Sequence, residues 1–113
     1  MIIRRGDVYF ARLGDARAEG LDEIPVIVMS RDSLNQNCPV IVVVPVVEKM
    51  GKTRNYPSRV SIRAGDGGIT VDSIALGEQV RALDTSRLGK QVGHLAAHTI
   101  AEISVVLRIV LDI

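Results

Sequence analysis

The chain has 113 residues, of which 47% are hydrophobic and 24% charged, and its formal net charge is +1. This composition is that of a globular protein and excludes wholesale disorder, and the length fits a single domain spanning residues 1–113. The near-zero charge removes the simplest argument for a nucleic-acid-binding protein, an overall basic excess, but it does not exclude local basic patches.

Strands are favoured by the content of β-branched residues, sixteen Val and twelve Ile. Short apolar or alternating segments predict strands at residues 7–13, 26–30, 39–47, 59–63 and 73–83. Pro45 within the third predicts a bend or a bulge, because proline cannot donate to a strand ladder. Gly77 within the last predicts a bulge or a close approach of backbone.

Polar and glycine-rich segments separate the predicted strands. We predict long loops at residues 14–23 and 48–57, turns at 31–38 and 64–68, and a capped turn at 84–86. The apolar period then changes to that of a helix, from Ile100 to Leu111. Five or six strands followed by one helix indicate a small antiparallel barrel or a strongly curled sheet, with the helix closing one end or joining a partner surface.

The sequence carries few signals of a metal site, a disulfide bond or a membrane-spanning helix. Cys38 is the only cysteine, so neither an intramolecular disulfide nor a cysteine-based zinc site is expected. His94 and His98 are four apart but lack the pattern of a metal-binding pair. With no signal peptide and no apolar run approaching the ~20 residues of a membrane helix, we expect a cytoplasmic protein without a metal or cofactor.

Charge is distributed unevenly along the chain. Residues 49–63 contain five cations and no acid, whereas residues 14–25 sum to −3. The basic strip could follow an RNA backbone, with Tyr56 stacking on a base, or it could be only a solvated face. Its cations are Lys49, Lys52, Arg54, Arg59 and Arg63.

Several segments, in order along nearly the whole chain, resemble the MazF/PemK family of toxin endoribonucleases. They are RRGDVY at 4–9, PVIVMSRD at 25–32, VVVPV at 42–46, YPSRV at 56–60, DSIALGEQVRALD at 72–84, RL at 87–88 and GHL at 93–95. The resemblance implies a mainly β, SH3-like barrel with a C-terminal helix, as in MazF and CcdB. It also implies a homodimer that cleaves single-stranded RNA without a metal, and a cognate antitoxin that blocks the RNA groove.

The resemblance does not extend to the usual catalytic residues. The arginine that the family has before the proline of its second strand corresponds to Ile24, and the threonine near the end of its third strand corresponds to Val47. Neither side chain can move a proton or donate a hydrogen bond. Three interpretations follow. Nearby residues have taken over the catalytic roles, or the alignment at Ile24 is shifted, or the protein binds RNA, gyrase or an antitoxin without cleaving RNA.

Substitute residues are available if catalysis is retained. Candidates for acid–base or charge-stabilising roles are Arg17, Glu19, Asp22, Glu23 and Glu48, with Lys49 and Arg87 as further cations. The RNA-binding candidates are Lys49, Lys52, Arg54, Tyr56, Gln79, Arg81 and Arg87. Gln79 and Arg81 are predicted on one face of a strand, where the amide of Gln79 could read a base edge.

Overall fold

The computed structural model describes residues 2–14, 23–51 and 56–113. Two of the predicted loops, 14–23 and 48–57, therefore lie partly outside the described residues. None of the helices in the described ranges is long and apolar enough to cross a membrane.

Within these ranges the chain forms seven strands, two α-helices and three short 3₁₀ turns. The strands are β1 Asp7–Ala11, β2 Ile24–Val28, β3 Val40–Glu48, β4 Arg59–Ile62, β5 Ser73–Leu76, β6 Arg81–Asp84 and β7 Leu88–His94. The helices are α1 Asp32–Asn37 and α2 Ala97–Leu111, and the 3₁₀ turns are Asp66–Gly68, Gly77–Gln79 and Thr85–Arg87. The prediction of a mainly β chain with a C-terminal helix is confirmed.

All strand pairs are antiparallel, in the order β4-β5-β3-β2-β1-β7, with β6 also paired to β3. The path is open: among the described residues, β4 and β7 end it without pairing to each other. The expected barrel is thus a curled sheet whose hydrogen-bonded ladder is not closed.

Strand β3 changes partner at its proline. One edge pairs with β6 up to Val43 and with β5 from Val46, and Pro45 lies between these two stretches. On the other edge Pro45 opposes Val26 of β2. Proline has no N–H to donate to a strand ladder. Here the missing donor falls where β3 passes from β6 to β5, and this is tolerated more readily than a gap inside a continuous ladder.

The strand predicted at residues 73–83 is interrupted, which corrects that prediction. Gly77 begins a 3₁₀ turn between β5 and β6, and its N–H donates to the carbonyl of Ser58 over 2.9 Å. A Cβ at this position would lie 2.5 Å from the same carbonyl oxygen. The close backbone approach predicted for Gly77 is therefore confirmed.

Two elements were absent from the sequence prediction. Residues 31–38 are not only a turn, because Asp32–Asn37 form helix α1, too short for an apolar stripe to appear. Strand β7 raises the strand count above the predicted five or six, and its glycine-containing sequence LGKQVGH shows no alternation. It is held by pairing with β1, where Oδ1 of the buried Asp7 lies 2.8 Å from Nδ1 of His94.

Alternate side chains of the central strands serve two apolar clusters. Val8 and Ile27 belong to one cluster, and their neighbours Tyr9 and Val26 to the other. Helix α2 packs on the first cluster through the fully buried Ile103, as its apolar period predicts. Because side chains alternate along a strand, this division determines which residues of each strand can face a site on a given side of the sheet.

Helix α2 is capped by a carboxylate from elsewhere in the chain. Its N-cap residue, Ala96, has no side-chain cap, but Oδ1 of Asp66 accepts from the Ala96 N–H over 2.9 Å. Oδ2 of Asp66 accepts from the Thr99 hydroxyl over 2.5 Å. Asp66 thus satisfies the N–H of the N-cap residue, as the N3 side chain of a capping box does.

Replacing Asp66 by alanine is expected to lower the free energy of unfolding by about 1–2 kcal/mol, the usual value of a lost cap. Urea denaturation followed by circular dichroism measures this difference. The conservative D66N variant retains an acceptor and should lose less. An equal loss in D66N and D66A would contradict the capping role.

Candidate functional site

A cavity of about 220 Å³ opens on the face of the sheet that carries Pro25. It forms where the start of β2, the end of β3 and the start of β5 meet the segment that follows the first 3₁₀ turn. Its lining is mostly apolar, and Val47 and Val71 remain 41% and 42% exposed. The lining residues are Phe10, Pro25, Val46, Val47, Glu48, Gly68, Ile69, Thr70, Val71, Ser73 and Val92.

One wall depends on a glycine pressed against β7. Gly68 has φ +78°, and a Cβ placed on it would lie 2.2 Å from the Val92 carbonyl oxygen. Only glycine combines this left-handed backbone with so close an approach. The residues after it are thereby held close to β7, and this contact shapes the cavity.

The polar side chains in the lining are those of Glu48, Thr70 and Ser73. Glu48 and Ser73 oppose each other in the β3–β5 ladder. The Ser73 side chain is buried, and its hydroxyl donates to the Val71 carbonyl over 2.8 Å, which leaves its oxygen as an acceptor. The exposed Glu48 carboxylate has no hydrogen bond or ion pair to any residue that the structure describes.

A second carboxylate belongs to the same side of the sheet. Glu23 precedes Pro25 by two residues, and in an extended chain such residues face the same way. Its carboxylate oxygens lie 3.0 and 3.1 Å from where a Cβ on Gly89 would stand, so the side chain rests against β7. Glu23 and Glu48 are therefore the two predicted catalytic carboxylates that the described structure brings to this face.

The two substituted family residues lie on neighbouring strands and share one face. Continued from the pair Val26–Pro45, the β2–β3 register sets Ile24 opposite Val47, so both belong to the face of Val26. Ile24 packs there against the second cluster together with Leu13 and Leu88, whereas Val47 is 41% exposed and is also among the residues around the cavity. Neither position supplies a polar group to the cavity.

In the predicted basic strip, the described charges are partly neutralised. The Arg59 guanidinium lies 4.5 Å from the centroid of the Tyr56 ring, and its Nε is 3.1 Å from Oε2 of Glu78. Burial acts to raise the pKa of Glu78, but hydrogen bonds from the Ser58 hydroxyl, a backbone N–H and Arg59 outweigh it and hold that pKa below its ordinary value. One face of Tyr56 is thus covered by Arg59, and stacking on a base would use the other.

The remaining described candidates lie apart from the cavity lining. Arg87 donates through Nη1 to the carbonyls of Arg12, over 3.3 Å, and Gly14, over 2.9 Å, so it supports the end of β1. Gln79 ends a 3₁₀ turn and Arg81 begins β6, which corrects the prediction that they share one face of a strand. Both are exposed, as is Lys49, whose N–H donates to the carbonyl of Asp72 over 2.9 Å.

Five candidates lie outside the described residues. They are Arg17, Glu19 and Asp22 of the first predicted loop, and Lys52 and Arg54 of the second. Their proposed roles stay predictions.

Several cavity residues carried no sequence signal. Phe10, Val71 and Val92 are single apolar residues in segments distant along the chain, and only the sheet topology brings them together. Gly68 was predicted to lie in a turn, but its contact with β7 depends on an element that the sequence did not predict.

The described fold is that of the MazF toxins. An endoribonuclease in complex with its cognate antitoxin from a mycobacterial species aligns with a TM-score of 0.80 at 22% identity, covering 98% of this chain and 96% of that one. MazF from Deinococcus radiodurans aligns with a TM-score of 0.79 at 23% identity, covering 100% and 99% of the two chains. The expected SH3-like fold class is confirmed.

Sequence comparison identifies the family. Residues 4–111 match the model of PemK-like, MazF-like toxins of type II toxin–antitoxin systems, and the chain belongs to that family. Endoribonuclease MazF9 of Mycobacterium tuberculosis is 33% identical over 118 residues, which cover 99% of this chain and 98% of that protein. Endoribonuclease EndoA of Bacillus subtilis is 35% identical over 96 residues, covering 84% and 82%.

Proposed function

We propose that this protein is a cytoplasmic toxin that cleaves single-stranded RNA without a metal ion. The observation that carries the proposal is a cavity lined by Glu48, with the Glu23 carboxylate against Gly89 of β7, in a chain of this toxin family. The curated relatives named as endoribonucleases support the same reaction class. A cognate antitoxin is the expected inhibitor, since one similar structure is a complex with such a partner.

The proposed toxin acts as a homodimer. Helix α2 buries one face on the first cluster, yet Val105 and Ile109 on its other side remain 56% and 55% exposed. Apolar side chains spaced one turn apart favour contact with another protein surface over exposure to water.

The proposed chemistry uses the ribose 2′-hydroxyl of the substrate as nucleophile. A carboxylate takes the hydroxyl proton while the 2′-oxygen bonds to phosphorus, and the phosphorus–O5′ bond breaks as a proton reaches the leaving oxygen. The products are a 2′,3′-cyclic phosphate and a 5′-hydroxyl. We assign proton removal to Glu23 and stabilisation of the phosphorane charge to the exposed Lys49.

A second candidate is a toxin that binds without cutting. Its support is the apolar character of both substituted positions, since neither Val47 nor Ile24 has a side-chain group that could move a proton. Such a protein would bind RNA or its antitoxin, or would poison gyrase.

The test is incubation of the purified protein with a library of single-stranded RNA in the presence of a chelator. Mapping of the new ends should find 5′-hydroxyl and cyclic phosphate termini at a preferred sequence. Absence of cleavage across the library would contradict the endoribonuclease proposal. Inhibition of DNA supercoiling by gyrase with RNA left intact would then support the second candidate.

A further inference from the structure

We propose that the cavity binds one unstacked guanine base of the RNA, with Glu48 accepting hydrogen bonds from its N1–H and 2-amino groups. This inference rests on the proposed RNA-directed function and names the base that the site reads. It assigns to Glu48 specificity rather than proton transfer, which is left to Glu23.

The size and walls of the cavity suit a planar ring. A dry apolar cavity of roughly 150 Å³ accepts benzene, and the cavity here measures about 220 Å³. Pro25, Val46 and Val71 supply apolar walls, and Phe10 is an aromatic ring in the lining. Unstacked bases in single-stranded RNA are held by such apolar and aromatic contacts.

Its polar groups disfavour a phosphate as the occupant. A carboxylate at the rim repels an anion, and the Ser73 hydroxyl has already given its hydrogen to the Val71 carbonyl. The Thr70 hydroxyl in the lining can donate but carries no charge to balance a phosphate. Phosphate sites in proteins are instead built from N–H donors and cations. The cavity therefore fits a base, and the adjacent Lys49 is left for the phosphate backbone.

The acceptors also discriminate between bases. The Watson–Crick edge of guanine offers two neighbouring donors, N1–H and the 2-amino group, which match the two oxygens of the Glu48 carboxylate. Adenine and cytosine offer only the amino group beside a ring acceptor, and uracil presents one N–H between two carbonyls. Guanine alone satisfies both carboxylate oxygens.

An apolar side chain of a protein partner would fit the cavity less well. It would exclude water from Glu48 and Ser73 without offering either a donor, and an acceptor left unpaired in this way costs binding energy. The experiment below distinguishes binding of a protein partner from binding of a base.

The experiment measures binding of the whole protein to short oligonucleotides that cannot be cleaved because they lack 2′-hydroxyl groups. Each carries G, inosine, A, C or U at one central position in an otherwise uniform sequence, and fluorescence anisotropy gives its affinity. We expect the G oligonucleotide to bind about tenfold or more tightly than the A, C and U forms, the range of a bidentate contact. Inosine, which lacks the 2-amino group, should be intermediate.

Two variants and one control link the preference to the cavity. Because Glu48 and Val71 are exposed, substitution of either should leave the fold intact, and thermal unfolding checks this. E48Q should remove the preference for G, V71F should narrow the cavity and weaken binding of the G oligonucleotide, and the matched E102Q variant on α2 should retain both properties.

The outcomes separate this inference from the proposed function. Equal binding of all five oligonucleotides would overturn the guanine site, while cleavage in the library assay would still stand. Retention of the G preference without cleavage would support the guanine site and contradict the endoribonuclease proposal. If V71F left oligonucleotide binding unchanged but weakened binding of the purified antitoxin, the cavity would be an antitoxin site and the guanine proposal would be wrong.

Discussion

Replacing Glu23 by glutamine should slow RNA cleavage by about 10²–10⁴-fold, the usual contribution of a general base. The amide keeps the shape of the side chain that rests on Gly89 but cannot accept the 2′-hydroxyl proton. We expect the loss in kcat with little change in KM, since proton removal belongs to the transition state rather than to binding. Single-turnover cleavage of an end-labelled RNA containing the mapped site measures this rate.

Three glutamates allow the assignment to be tested by comparison. E23Q should leave the affinity for the uncleavable G oligonucleotide unchanged, E48Q should reduce that affinity, and E102Q should change neither affinity nor rate. If E48Q abolished kcat while E23Q cleaved normally, the roles assigned to the two carboxylates would be reversed. Normal cleavage by both variants would show that the base lies elsewhere, with Glu19 and Asp22 as the next candidates.

Replacing Gly68 by alanine should lower the free energy of unfolding by about 3–5 kcal/mol, near the upper end for a single substitution. Two costs combine here: the left-handed φ of +78° and a Cβ only 2.2 Å from a backbone carbonyl oxygen of β7. The carbonyl is held in place by the sheet, so the clash moves the cavity wall away from β7. Equilibrium denaturation in urea measures the effect.

Gly65 provides a control for Gly68, because its φ is also positive. Its φ is +99°, but a Cβ on it would meet nothing within 4 Å. G65A should therefore cost only the left-handed strain, about 1–2 kcal/mol, and should leave RNA binding unchanged. Equal losses in G65A and G68A would show that the approach to β7 adds nothing.

Side-chain periodicity predicted those strands and the helix whose apolar residues recur regularly and form one buried face. The alternation in β1 and β4 and the helical stripe from Ile100 to Leu111 each match an observed element. Strand β7 escaped prediction because Gly89, Gly93 and Lys90 remove the alternation, and its stability comes from β1. Helix α1 escaped because six residues make less than two turns.

The candidate site was predictable only in part, because it is assembled by topology. Position along the chain drew attention to Glu23 and to Glu48, which directly follows Val47 in β3, and their proposed roles stay predictions. It could not show that Ile24 packs into the second cluster beside Leu13 and Leu88, since these contacts depend on how strands distant along the chain are paired. Nor could it show that Arg87 is engaged by two backbone carbonyls of a distant segment.

The pairing of β7 with β1 also bears on when the toxin becomes active during its synthesis. Strand β1 emerges early from the ribosome, but its partner at Leu88–His94 follows many residues later. Val92 of that strand is a wall of the cavity, and its carbonyl is the surface against which Gly68 packs. A nascent chain that has not yet exposed β7 therefore has no cavity, so the ribosome that makes the toxin carries an incomplete site until synthesis is nearly finished.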